Sequence, residues 1–200
     1  MKYEYTIISI HKLFNDMNNK TATFNNLIHD RSILIWPETA ADFLNNLYKG
    51  IIPFGMITLE IEYGDHTCTG MLIDGRKRLL ILSQLRDPKP FNVVYDSIND
   101  KFIPIIHDET DKIINDISSG LYFLYNINNT FIAYDYIKDI EVSELEDSDK
   151  QIRIYNIRKA NAFFQNLIIP VCYVDFEDDR DKLFQRDNMR KILTQPIKTI

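Results

Sequence analysis

Between Thr67 and Leu85 the chain changes its hydrophobic period across two residues, and this switch constrains the fold more than any other stretch. Thr67–Ile73 reads as a strand. Asp74-Gly75 breaks it, and Leu79, Leu80, Leu82 and Leu85 then recur at helical spacing until Pro88 and Pro90 stop the run. The pattern predicts a strand ending at Ile73, a tight Asp74-Gly75 junction and a helix starting near Arg76.

The flanking stretches supply the partners such a unit needs. Pro37 suits the first turn of a helix, because the N–H it lacks would have no intrahelical acceptor there. Ala40, Phe43, Leu44 and Leu47 follow as one apolar stripe, and Gly50 is placed to end the helix in the left-handed conformation. Met56–Glu62 alternates like a strand. Phe91–Tyr95 and Lys101–Ile106 form a hairpin across Asp96-Ser97-Ile98-Asn99-Asp100. Thr110–Ser118 reads as a short helix, and residues 121–137 fit strand or helix. Residues 138–150, with six acids and two bases, read as an exposed helix start or loop. Helices are expected over Arg153–Leu167 and Asp178–Thr194, with a strand over Ile168–Phe176. Helices and strands alternate only loosely, so the expected class is α+β rather than doubly wound. We expect one domain over 1–200, with its core at about 30–110 and a helical or mixed addition at about 110–194.

Composition narrows the function classes. Apolar residues make up 45% and charged residues 26%, as in ordinary globular proteins. Two cysteines cannot build a disulfide framework, so a reduced, cytoplasmic protein is expected. No apolar run approaches the length of a membrane span, and the opening Met1-Lys2-Tyr3-Glu4-Tyr5 does not resemble a signal peptide. The net charge of −6 argues against a general nucleic-acid coat. The charge is uneven, however, because residues 74–91 and 180–198 are both locally basic in an otherwise acidic chain. That distribution fits a focused anion site, with solvated helix faces as the alternative.

The Asp74-Gly75 junction is the strongest candidate for such a site. A helix start carries the positive end of the dipole, and Gly75 lets backbone approach a ligand. Arg76, Lys77 and Arg78 put three cations in the first turn, where they oppose the dipole unless an anion binds. Asp74 could cap the helix, hold Mg²⁺ or orient a water. The competing reading is a strand-to-helix turn with an Asp cap and surface bases.

The run Ile73-Asp74-Gly75-Arg76-Lys77-Arg78-Leu79-Leu80 resembles the Asp-Gly-Gln-Gln-Arg-Leu-Thr signature of the ParB/sulfiredoxin-like domain that begins GmrSD-type, modification-dependent restriction proteins. Three further features agree in order. These are Trp36 with its helix to Gly50-Ile51-Ile52-Pro53, the hairpin within Phe91–Phe102, and Phe184-Gln185-Arg186-Asp187-Asn188 through Leu193-Thr194. The resemblance spans about residues 30–194. It implies a mixed sheet with flanking helices and a helical addition. It further implies a domain that binds or hydrolyses an NTP with Mg²⁺ and regulates DNA restriction or phage defence alongside a nuclease subunit or domain. In that reading Asp74 positions Mg²⁺ or water, Gly75 admits phosphates, and Arg78 pairs with phosphate oxygens. Arg76, Lys77, Arg31, Arg186 and Asn188 are further ligand contacts.

The chain departs from the family where Arg76 and Lys77 replace two glutamines and where Met189 follows Asn188 in place of glycine. Asp30-Arg31 lies one residue out of register with the family's Gln-Arg pair, and the 200 residues hold no counterpart of the family's His-Asn-His nuclease domain. A self-sufficient nuclease is not expected. The alternative function is a catalytically inert DNA- or protein-binding module that uses Arg76, Lys77 and Arg78.

Other constellations carry less. The four histidines lack metal-ligand spacing, and Cys68 beside His66 is read as an inert thiol. The acids at 175–181 are read as a solvated loop. The aromatics Tyr122, Phe123, Tyr125, Phe131, Tyr134 and Tyr136 are read as core rather than base-stacking residues.

Overall fold

The computed structural model describes residues 2–19, 35–51, 57–62, 67–83, 85, 93–105, 119–122, 125–127, 130–132 and 134–175. It is an α+β structure. The helices expected over Thr110–Ser118 and Asp178–Thr194 lie outside the described residues. The chain divides into two compact units. One comprises Met1–Ser32, Phe54–Leu79 and Ile168–Ile200, and the other Ile33–Pro53 and Leu80–Leu167.

The first unit is built on a four-stranded mixed sheet in the order β1-β9-β2-β3. The strands are β1 (Lys2–Ser9), β2 (Ile57–Glu62), β3 (Thr67–Asp74) and β9 (Ile168–Asp175). β1 pairs antiparallel with β9 along its whole length, from Lys2 opposite Asp175 to Ser9 opposite Ile168. β2 runs parallel to β9 from Ile57 opposite Val171. Pro170 therefore precedes the β2 contact, where its missing N–H removes nothing from that ladder. β2 and β3 are antiparallel with two register shifts. Helix α1 (Ile10–Asn19) follows β1 directly. The Ser9 hydroxyl accepts a hydrogen bond from Lys12 N at 3.1 Å, an N-cap contact, and Ile10 and Leu13 are buried.

The second unit starts with α2 (Pro37–Tyr48). Its proline opens the first turn as expected, and Gly50 adopts φ 77 beyond its C-terminus. Ala40, Ala41, Leu44 and Leu47 form its buried stripe. A three-stranded antiparallel sheet has the order β5-β4-β6, with β4 at Val93–Asp96, β5 at Lys101–Pro104 and β6 at Leu121–Tyr122. All four residues of β4 are buried, so this central strand has no solvent face. The hairpin β7 (Tyr125–Ile127) and β8 (Thr130–Ile132) leads to α4 (Tyr134–Val142) and α5 (Asp147–Gln165).

The acidic 138–150 stretch thus contains the end of α4, a break, and the first turn of α5. α5 starts six residues before the expected Arg153, and Asp147 and Asp149 sit where the helix dipole favours acids. Sequence periodicity missed this turn because its residues are exposed and carry no apolar stripe.

The core of this unit is aromatic. Phe164 of α5 is fully buried, stacked on Tyr48 at 5.9 Å between centroids and edge-on to Phe102 at 5.6 Å. Tyr95 meets Phe102 at 5.4 Å. Reciprocal bonds between Asn45 and the backbone of Phe102 tie α2 to β5, at 2.7 Å from Phe102 N and 2.8 Å to Phe102 O. Tyr122 is buried and packs on Tyr136 at 4.6 Å. This agrees with a core role for these two aromatics.

Candidate functional site

β3 ends at Asp74, Gly75 adopts φ 93, and helix α3 (Arg76–Ser83) begins at once. The Gly75 carbonyl accepts the bond from Leu79 N at 2.8 Å, which makes Gly75 the cap residue. Asp74 stands one position further out, opposite Thr58 of β2. The cap position therefore has no side chain, and Asp74 precedes it. The φ of Gly75 lies where an L-residue is strained, so the junction requires glycine. Gly75→Val is expected to lower the unfolding free energy by about 1–3 kcal/mol. An unchanged midpoint in urea unfolding would show that the junction tolerates a side chain.

Beyond its first turn α3 is buried on every side. Leu79, Leu80, Ile81, Leu82 and Ser83 are all buried, and the Ser83 hydroxyl donates to Leu80 O at 2.6 Å. Lys77 is exposed, Arg78 is half-buried, and no acid occupies the first turn. Gly75 itself is buried, so at this end solvent reaches Lys77 and part of Arg78 rather than the cap backbone. Asp74 and Arg76 are placed at the junction by their backbone positions in β3 and α3. Arg31, Arg186 and Asn188 lie outside the described residues, so the contacts expected of them lie there too. Trp36, which precedes α2 in the family resemblance, is exposed and extended (φ −71, ψ 139), as a residue before proline should be. Among the described residues no group of three or more His, Cys, Asp or Glu side chains could hold a metal ion. No described helix is long and apolar enough to cross a membrane.

A second polar cluster, which the sequence reading did not single out, lies at the β4–β5 turn. Asp96 Oδ1 accepts from Ile98 N at 2.9 Å and Asn99 N at 3.0 Å, and this Asx turn shapes the loop. Ser97 bonds Gly120 O through both its N–H (2.9 Å) and its hydroxyl (2.8 Å). A Cβ on Gly120 would stand 2.8 Å from Ile98 Cγ1, and φ 69 further restricts that position to glycine. Asp100 closes the turn at φ 52, a conformation aspartate tolerates better than most residues.

In that geometry the Asp100 carboxylate gathers three donors from three elements. Tyr48 Oη of α2 lies 2.8 Å away, Tyr95 Oη of β4 lies 2.5 Å away, and Lys159 Nζ of α5 lies 2.5 Å from the other oxygen. Lys159 also stands 5.2 Å from the centroid of the Tyr48 ring. Tyr95 Oη is also 3.0 Å from Asn156 O, while Asn156 Nδ2 donates to Ser97 O at 2.8 Å.

Charge follows geometry. Burial alone would raise the Asp100 pKa, but the bonds from Lys159, Tyr95 and Tyr48 outweigh it and hold the carboxyl below its ordinary value. Burial, with Asp100 next, pushes Tyr48 up to about 12 and Tyr95 further up. The Asp100 bond raises the Lys159 pKa. No member of the cluster is moved toward neutrality, so it is not poised for proton transfer at physiological pH. It works as a pin holding the hairpin to α2 and α5.

Cys172 of β9 is buried, and that burial pushes its thiol pKa up and disfavours the reactive thiolate. Comparison with protein-family models, with curated proteins and with solved structures returns no match.

Proposed function

We propose that the chain is a nucleotide-phosphate-binding regulatory domain of a DNA restriction or phage-defence system, ParB/sulfiredoxin-like in fold, with the β3–Gly75–α3 junction as its phosphate site. One observation carries the reading. A side-chain-free cap at φ 93 opens a helix whose first turn carries exposed Lys77 and half-buried Arg78 and lacks an acid. Such an end suits a phosphate, which relieves the repulsion between the dipole and the three cations. Arg78 pairs with phosphate oxygens, Lys77 adds charge from solvent, and Asp74 holds Mg²⁺ or orients water. The reading leaves DNA cleavage to a partner nuclease.

Exposed Lys77 favours a second reading, a binding module without NTP turnover that contacts DNA or protein through the same cations. Thermal-shift measurements with the four NTPs and Mg²⁺ separate the two. The phosphate site predicts stabilisation of about 2.7 kcal/mol at a hundredfold excess of ligand over its dissociation constant. Arg78→Ala should lose most of that ligand-induced shift relative to its own ligand-free baseline. A flat response to all four nucleotides, with salt-sensitive DNA binding that weakens when Arg76 and Lys77 are neutralised, establishes the second reading instead.

A further inference from the structure

We propose that Thr58 is the positioning residue of the Asp74 carboxylate and so sets the metal dependence of the β3–Gly75–α3 junction, an inference that rests on the phosphate-site reading of that junction. Strand register brings the two residues together. Thr58 of β2 stands opposite Asp74, whereas Leu59 stands opposite Leu72, so β3 carries one extra residue, Ile73. An unbroken register from the Leu59–Leu72 pair would set Ile73 opposite Thr58. The bulge brings Asp74 there instead, and bulges of this kind terminate pairing and recur beside functional sites. Residues directly opposite in an antiparallel pair have Cβ atoms about 4.5–5.5 Å apart, within reach of a threonine hydroxyl and a carboxylate.

Burial gives Thr58 this task. It is 2% exposed, and a buried hydroxyl needs an acceptor. The other buried aliphatic hydroxyls among the described residues, those of Ser83 and Ser97, donate to the carbonyls of Leu80 and Gly120. Thr58 has two register neighbours. On its β9 side it stands opposite Cys172, whose sulfur is a weak acceptor, and on its β3 side opposite Asp74, whose carboxylate is a strong one. The branched Cβ of threonine restricts χ1, so its hydroxyl holds few directions. Asp74 needs such support, because it is the last residue of β3 and Gly75 leaves the strand at φ 93. A hydrogen bond donated by Thr58 to one carboxylate oxygen fixes the group and leaves the other oxygen for Mg²⁺ or a water.

Thermal-shift titration of the full chain tests the proposal, with Mg²⁺ added at a fixed, saturating concentration of whichever NTP stabilises the wild type most. T58V keeps the shape of the side chain and removes the hydroxyl. It should raise the Mg²⁺ concentration at half of the metal-dependent shift by at least about tenfold. The shift given by the same NTP in EDTA should stay at the wild-type value, whereas a merely structural role would lower both shifts. T58S, which restores a hydroxyl, should return the Mg²⁺ midpoint towards wild type. On a D74N background T58V should move the midpoint no further, because Thr58 acts only through Asp74. T58A makes the same comparison if valine unfolds the chain. A T58V midpoint equal to that of wild type overturns the proposal and leaves the phosphate site standing. So does a midpoint that T58S fails to restore, or a wild-type shift that is the same with and without Mg²⁺. A wild type that responds to none of the four NTPs removes the phosphate site itself, and this inference with it.

Discussion

Phe164→Ala is expected to lower the unfolding free energy by about 3–5 kcal/mol, the largest effect of any single change described. Phe164 is 0% exposed, and Tyr48, Phe102 and Phe163 surround its ring at 5.1–5.9 Å between centroids. Truncation removes the ring's transfer energy and leaves a cavity its neighbours cannot fill. Tyr48 is held by its bond to Asp100, and the Phe102 backbone is clamped by Asn45. Its neighbour Phe163 is half-buried, so Phe163→Ala should cost less. Urea unfolding of both variants checks this order. A Phe164→Ala loss no larger than that of Phe163→Ala would mean that the aromatic cluster is not the core of its unit.

Asp100→Ala is expected to cost about 2–3 kcal/mol at neutral pH. The Lys159 ion pair contributes little of this, because the Lys159 side chain is 50% exposed and solvent screens it. The main loss comes from the Tyr48 and Tyr95 hydroxyls, which lose their charged acceptor, and from alanine at φ 52. Asp100→Asn keeps an acceptor oxygen and tolerates the left-handed backbone, so it should cost less.

The pH dependence has a definite sign. The Asp100 pKa is lower in the folded state than its ordinary 3.8, so its contribution is full above that value. It is lost as pH falls through the lower folded value. The Lys159 pKa is raised, so that contribution is present below its ordinary 10.5 and is lost as pH rises through the higher folded value. Denaturant unfolding from about pH 7 down to about pH 2 should show a steeper acid loss for wild type than for Asp100→Asn. Parallel acid limbs would show that the carboxylate is not stabilised by its three donors.

The sequence by itself determined the features whose chemistry sits within a few residues. Pro37, the Ala40–Leu44–Leu47 stripe and Gly50 delimit α2. The period switch at Asp74-Gly75 locates the β3–α3 junction. The Asp96–Asp100 stretch marks the hairpin turn, because Asx side chains bond their own backbone. Tertiary structure alone decided the pairing of Lys2–Ser9 with Ile168–Asp175, since no local period reveals which distant strand will satisfy an edge. It also decided that Tyr48, Tyr95, Asp100 and Lys159 converge. Each looks ordinary in its own window, as a helix-end tyrosine, a strand tyrosine, a turn aspartate and a surface lysine. Their meeting depends on three elements packing at once around Phe164, and packing of that range is set by burial of the whole core rather than by any local pattern.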